Sequence, residues 1–388
     1  MATKKTRTTT KKKTAKSSSK PAKGDSESKP VAAPRLRYRP ARPRKYRPSI
    51  GLIGCGGISQ HHLRAYKAMG WRVVALCDIN AAAARERQGA YYPKADVYSD
   101  HRELLAREDI DVVDISTHPI IRPPLIRDAL NAGKHVLSQK PFVLSLDEGK
   151  KLVALARRKK RKLAVNQNGR WAPYFSYVRE LVKGGHLGEI TSVDMTLAWD
   201  HTWIEGTAFE RLHHVILYDF AIHWFDMVSC LFGEQKPTGV VASLAKAPGQ
   251  RLPHPMSAQA QVTYPRGQAS LAFRGHTKHG NFEQLLVTGE TGTYQATGKI
   301  CDPNQIRLIT AKGESHPVLT GHWFPDGFAG SMGELLCAIE EDREPENSAA
   351  NNLRSLALCF AALESTRSGN VEVPGQQNQA GPGCSTEE

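Results

Sequence analysis

Residues 49–59 read Ser-Ile-Gly-Leu-Ile-Gly-Cys-Gly-Gly-Ile-Ser, a short apolar run that breaks into glycines. Ile50, Leu52 and Ile53 suit a buried strand. Gly54 permits a tight turn, and Gly56 lets the backbone approach a phosphate closely. Gln60 to Tyr66 then suits a helix whose first N–H groups and dipole favour an anion. Gly57, Ile58 and Ser59 complete the expected cradle, with Ser59 at the third small position. Alone, Gly-x-Gly-x-x-Ser also fits an ordinary strand–helix turn. Its surroundings select between the readings. Trp71–Asp78 is a second apolar run ending in an acid, and Asp78 falls 24 residues after Gly54. That is close to the spacing at which a carboxylate accepts both ribose hydroxyls of NAD.

Runs at 111–117 and 135–138 alternate with helix-like stretches near 100–107 and 124–132. Such alternation predicts βαβ units and a parallel, Rossmann-type sheet over residues 48–165. Ligands bind outside the carboxyl ends of such strands. Ser116, Thr117, His118, Gln139 and Lys140 end the third and fourth runs and are expected among the cofactor contacts. A 2′-phosphate would meet the charge of Asp78, so NAD is expected rather than NADP; Arg85 and Arg87 offset that only in part. After Gly188 the texture changes to short strand-like runs at 189–199, 239–244, 258–264, 268–274, 283–287, 292–297 and 305–310. Val262 to Phe273 reads as a hairpin. The fold class is therefore α/β: a parallel sheet, then a C-terminal α/β domain over 166–374 with an open, mostly antiparallel sheet. Helices are expected at 328–341 and 349–368.

The formal net charge is +15, yet it is not spread along the chain. Residues 1–47 hold 17 of the 53 Lys and Arg and only two acids, Asp25 and Glu27, so the remainder is neutral. With almost no large apolar residue before Val31, residues 1–47 are expected to be a disordered basic tail, and 375–388 a disordered polar one. The basic tail reads either as a solubilising segment or as a loose tether to nucleic acid or anionic membrane. It lacks the apolar core of a secretory signal, and no apolar stretch reaches membrane-spanning length. Cys55, Cys77, Cys230, Cys301, Cys337, Cys359 and Cys384 form no C-x-x-C pair. Most suit core positions in a reducing compartment, so a cytoplasmic location is expected. The run Arg157–Lys162 suits the solvated C-terminal end of a helix.

Two segments carry chemistry. Lys140 follows a parallel strand, where Pro141 biases it toward extended backbone. It reads either as a site lysine or as a surface one. In Leu217–Val228, Asp219, His223 and Asp226 lie at i, i+4 and i+7 and would share a helix face. A carboxylate beside a histidine orients the ring and raises its basicity; a partly buried structural histidine fits the spacing equally.

The ordered set Gly54-Cys55-Gly56-Gly57-Ile58-Ser59, Asp78, Ala132–Leu137, Gln139-Lys140-Pro141, Leu187–Ile190 and Asp219–Asp226 resembles the glucose–fructose oxidoreductase/inositol dehydrogenase (Gfo/Idh/MocA) family over about residues 48–373. The resemblance implies a nicotinamide-dependent oxidoreductase acting on a sugar, polyol or related hydroxy compound. It implies Lys140 as the catalytic-site lysine, His223 as general base and Asp219 as a substrate-orienting acid. It also implies a homo-oligomer. Gln139 stands where the family usually has Glu, Ala221 where it has Gly, and Arg122 where many members have His.

Polar and aromatic residues near Arg170, Trp171, His201 and His213 suit a polyhydroxylated substrate, or equally a packed loop. No metal-ligand spacing such as H-E-x-x-H occurs, so no metal is expected. Two rivals remain: a glycosidase that oxidises transiently with retained NAD, and a ligand sensor whose tail reaches nucleic acid.

Overall fold

The computed structural model describes residues 29–212 and 214–381. The first domain alternates strand and helix: β1 (Ser49–Ile53), α1 (Ser59–Met69), β2 (Arg72–Cys77), α2 (Ala81–Tyr91), β3 (Asp96–Tyr98), α3 (His101–Leu105), β4 (Ile110–Ile115), α4 (Arg122–Asn131), β5 (His135–Gln139), α5 (Leu146–Arg158) and β6 (Leu163–Asn166). The strands are parallel in the order β3-β2-β1-β4-β5-β6. Their near-continuous apolar runs are buried on both faces, as a helix-covered parallel sheet requires. Local signals set the helix ends. Asn80 caps α2 by accepting from Ala82 and Ala83 N–H. Ser145 caps α5, with Asp147 and Glu148 in its first turn and Arg157 and Arg158 in its last, each complementing the helix dipole.

The second domain begins with α6 (Pro173–Lys183), β7 (Ile190–Ala198) and α7 (Ile222–Leu231). It continues through β8 (Gly239–Ala245), β9 (Ser257–Tyr264), β10 (Gly267–Arg274), β11 (Phe282–Gly289), β12 (Gly292–Lys299), β13 (Asp302–Thr310), β14 (Gly313–Ser315), α8 (Trp323–Glu340) and α9 (Ala349–Ser368). Its eight strands run β14-β13-β12-β11-β7-β10-β9-β8, antiparallel except between β7 and β10. One face packs on the helices; the other is open and rich in Ser, Thr and Gln, so the strands alternate buried and accessible residues. The α8 helix returns to the first domain: Phe328, Met332, Leu335 and Leu336 share a core with Ile50, Leu52, Leu63 and Tyr66.

Three expectations are corrected. Residues 29–47 are not a loose tail: main-chain and side-chain bonds tie them to β14, α6 and α8. Residues 375–381 likewise dock on α5, where Asn378 accepts from Leu146 N–H and Ala380 donates to Leu144. In both, the backbone finds partners that apolar content alone would not supply. The rest of those expected tails, 1–28 and 382–388, lies outside the described residues. Third, Asp226 does not share a face with Asp219. Val215–Phe220 forms a π-helical turn before α7, and its wider turn changes the rotation between the two acids.

Asp226 instead points inward to Arg170, whose Nε and Nη2 donate to its carboxylate at 2.6 and 2.7 Å. Arg170 also reaches Asn351 Oδ1 and the Glu346 carbonyl, and Ser355 donates to Asp226. The pair is 2% and 1% exposed, so Arg170 ties α7 to α9 and spends its guanidinium on protein partners. Trp171 is buried too, with the Arg179 guanidinium 5.1 Å over its ring. Arg170→Ala leaves Asp226 buried without its cation, and is expected to cost about 3–5 kcal/mol in urea unfolding while NADH affinity stays unchanged.

Candidate active site

At the end of β1 the chain turns through Gly54, with φ +96°. A Cβ there would lie 2.8 Å from Thr117 Cγ2 and 2.9 Å from Thr117 N, so the turn needs glycine for space as well as conformation. The Gly54 carbonyl accepts from Ser116 Oγ at 2.6 Å. Gly56 and Gly57 are exposed, and a Cβ on either would meet nothing within 4 Å. Open backbone there, directly before α1, is the room a pyrophosphate needs. Ile58 precedes the helix, and Ser59 Oγ donates to the Gly56 carbonyl at 2.6 Å.

Asp78, at the end of β2, accepts from Cys55 N–H at 2.7 Å and Asn80 N–H at 2.8 Å. The turn itself thus fixes the carboxylate expected at the ribose. Arg87 reaches Ser59 Oγ at 3.3 Å, while Arg85 is exposed. Burial, reinforced by Asp78, pushes the Cys55 thiol up to about 12, so it is inert packing. At the ends of β4 and β6, Thr117 Oγ1 and both amide atoms of Gln167 are buried with no protein partner among the described residues. Such atoms fit a ligand that brings its own donors and acceptors. The cradle, the carboxylate and these unpaired groups together fit a dinucleotide.

The turn after β5 holds Lys140. Gln139 Oε1 accepts from Lys140 N–H at 2.7 Å and from Asn166, and its Nε2 meets His62 Nε2 at 3.0 Å. His62 Nδ1 donates to Asp114, which also accepts from Tyr66, at 2.7 and 2.6 Å. The partners assign His62 the Nδ1–H tautomer. Arg122 is fully buried. Its Nε and Nη2 donate to the Thr117 carbonyl, and its Nη1 to the carbonyls of Gln139 and Pro141. Burial draws this guanidinium down to about 10, against Tyr218, Asp219 and Asp114, so it stays charged. It clamps the turn after β4 to the turn after β5.

Lys140 Nζ crosses to the second domain and donates to the Asp219 carbonyl at 2.8 Å and carboxylate at 3.2 Å. His223 follows on α7. Its Nδ1 is enclosed and has no partner among the described residues. Burial, then the Lys140 charge, holds the ring well below its ordinary range, so it is neutral. Burial and the Arg122 charge lower His118, with Asp219 opposing. His201 Nδ1 accepts from the indole N–H groups of Trp199 and Trp203 at 2.8 and 3.2 Å. This leaves Nε2 as a donor. Burial drives His201 down to about 4, with Asp219 opposing. Of the expected site residues, Lys140 and Asp219 meet directly, the charges of this pair act on His223, His118 and His201, and Arg170 and Trp171 stand apart. His213 lies outside the described residues.

Aromatic residues near His201 are expected from the sequence, but the joining of Phe220, Trp224 and Trp323 to them is not. Trp199, Phe220 and Trp224 stack at 4.1 and 4.6 Å between ring centres. Trp323, from α8, lies 5.3 Å edge-on to His223 and donates to Asn168 Oδ1 at 2.7 Å. Nothing in the local pattern of Trp323 signalled this, because the contact spans a hundred positions of chain. Among the described residues no His, Cys, Asp and Glu group could hold a metal, and no helix is long and apolar enough to cross a membrane.

The model of an oxidoreductase family with an NAD-binding Rossmann fold matches residues 49–167, and that of the GFO/IDH/MocA C-terminal domain matches 175–295. The chain is 30% identical over 330 residues to an inositol 2-dehydrogenase from Burkholderia multivorans, covering 83% of this chain and 95% of that one. It is 27% identical over 345 residues to a D-apiose dehydrogenase from Paraburkholderia graminis, covering 85% and 90%. In fold it is similar to an oxidoreductase from Agrobacterium radiobacter solved with NAD+, L-tartaric acid and magnesium, with a TM-score of 0.77, 20% identity and coverage of 85% and 99%. With both domains matched in chain order, this protein belongs to the Gfo/Idh/MocA family of NAD-binding oxidoreductases.

Proposed function

We propose that the chain interconverts a secondary alcohol of a sugar or polyol and its ketone, with His223, Lys140 and Asp219 at the reacting carbon. One observation carries this reading: the Lys140 ammonium is held by Asp219 at 2.8 and 3.2 Å, and its charge acts on a neutral histidine whose Nδ1 has no partner among the described residues. A neutral imidazole accepts the hydroxyl proton. Lys140 places a cation where alkoxide charge develops, and Asp219 aims it. NAD, when bound, supplies the hydride-accepting nicotinamide. His201 offers a fixed N–H donor to a substrate oxygen, and the rings of Trp199, Trp203 and Phe220 around it suit the C–H face of a sugar. The matched relatives make myo-inositol and D-apiose the first probes. The open face of the eight-stranded sheet, with Val241 and Phe282 exposed, suits contact with a second copy. The cations of residues 1–28 suit weak contact with nucleic acid, and the free thiols suit the cytoplasm.

Lys140→Ala and His223→Ala are each expected to lower kcat by about 10²–10⁴ in an NADH absorbance assay with the probe that turns over. Lys140→Met removes the cation that disfavours the imidazolium. The His223 titration is then expected to move upward in pH when followed by NMR. Asp78→Ala is expected to raise turnover with NADP relative to NAD; a wild-type preference for NADP would contradict the role of Asp78.

A further inference from the structure

Residues 29–47 run as an arm over the second domain. Val31 N–H donates to the Glu314 carbonyl at 2.8 Å, and Glu314 N–H to the Lys29 carbonyl at 3.0 Å, which adds a rung to the β14 edge. Tyr177 and Ser176 of α6 donate to the carbonyls of Pro34 and Tyr38 at 2.8 and 2.7 Å. Tyr38 accepts from Thr320 N–H at 2.9 Å. Arg39 then forms a two-pronged pair with Asp326 at 2.7 and 3.2 Å and donates to the Thr320 carbonyl. At the far end of α8, Glu340 accepts the backbone N–H groups of Arg44, Lys45 and Tyr46 at 2.6, 2.5 and 2.7 Å. The body is shaped for this arm. A Cβ at Gly333 would collide with the Ala41 carbonyl oxygen, and one at Gly321 with Arg39 Nη1.

The arm ends its work beside the site. Asp326 also accepts His322 N–H at 3.1 Å, so it closes the turn that carries Trp323 and Phe324. Phe324 has extended dihedrals, φ −106° and ψ 114°, so the helix does not itself hold that turn. Trp323 packs on His223 at 5.3 Å and on Trp224 at 5.7 Å, and Phe324 packs on His61 of α1 at 5.0 Å.

We infer that Arg39 and Asp326 are positioning residues: the arm pins the entry turn of α8 and thereby holds the Trp323 indole against the ring of His223. The inference rests on His223 being the base. Arg39 touches neither substrate nor reacting atoms; it acts through Asp326 and Trp323. Trp323 packs edge-on against the partly buried imidazole, while Lys140 and Asp219 supply the charges at the site and Trp224 is uncharged.

The test compares the full chain, a form lacking residues 1–28, Arg39→Ala, Arg39→Lys and Asp326→Asn. Each is labelled with diethyl pyrocarbonate, and modification of His223 is followed by mass spectrometry, beside thermal unfolding and NADH affinity. Loss of residues 1–28 is expected to change nothing. Arg39→Ala and Asp326→Asn are expected to speed His223 modification by about threefold to tenfold as the indole loosens, with NADH affinity kept within about twofold and partial recovery in Arg39→Lys. Unchanged labelling of His223 in both variants, even with a lowered melting temperature, would overturn the inference and leave the arm a plain stabilising segment. Faster labelling in the variants together with full activity in His223→Ala would instead overturn the base assignment alone.

Discussion

The Lys140 ammonium reaches from the end of a first-domain strand to the carbonyl and carboxylate of Asp219 in the second domain. A lysine head buried to this degree is costly unless it is paired and hydrogen-bonded. The contact answers that cost and ties the first domain to the second. The parallel sheet sets one side, because its strands all end at the same edge. The π-helical turn at Val215–Phe220 sets the other, because it rotates Asp219 toward Lys140 while Asp226 goes to the interior.

Behind Lys140 lies a network that a carboxylate at position 139 would not make in the same way. The Gln139 amide accepts from Lys140 N–H and donates toward His62, whose other nitrogen donates to Asp114. Glutamate offers no donor when ionised. The residue that departs from the family's usual pattern is therefore matched to its neighbours here. Arg122, another of the three departures, spends its guanidinium on three backbone carbonyls and joins the two turns that face the cleft. Both substitutions shape the support of the site rather than its lining.

Much of this was legible in the sequence where the signal is local. The glycine turn, Asp78 and the alternating apolar runs follow from backbone rules acting over a few residues, and they place the parallel sheet with the glycine turn at the end of its first strand. The strands of the second sheet were also readable from their turns, although the order β11-β7-β10 depends on pairings distant in the chain. Burial of single polar residues was not readable. Arg170 looked suited to a substrate because the sequence does not reveal that Asp226 and Asn351 enclose it. The arm was misread because its composition is that of a disordered segment, while its order comes from main-chain bonds to Glu340, Tyr177 and Glu314. Trp323 was missed for the same reason: its partners Asn168 and His223 are remote in sequence.

In the proposed reaction this cleft moves a hydride from a carbinol carbon while His223 takes the hydroxyl proton. Its most direct test is a polyol probe, such as myo-inositol, deuterated at its carbinol carbons and incubated with NAD in ordinary water. Deuterium is expected on the nicotinamide ring of NADH, with the hydroxyl proton lost to solvent and the reaction slower than with the undeuterated probe. Accumulation of unlabelled NADH, or wash-out of the carbon-bound deuterium into water without net NADH, would contradict it.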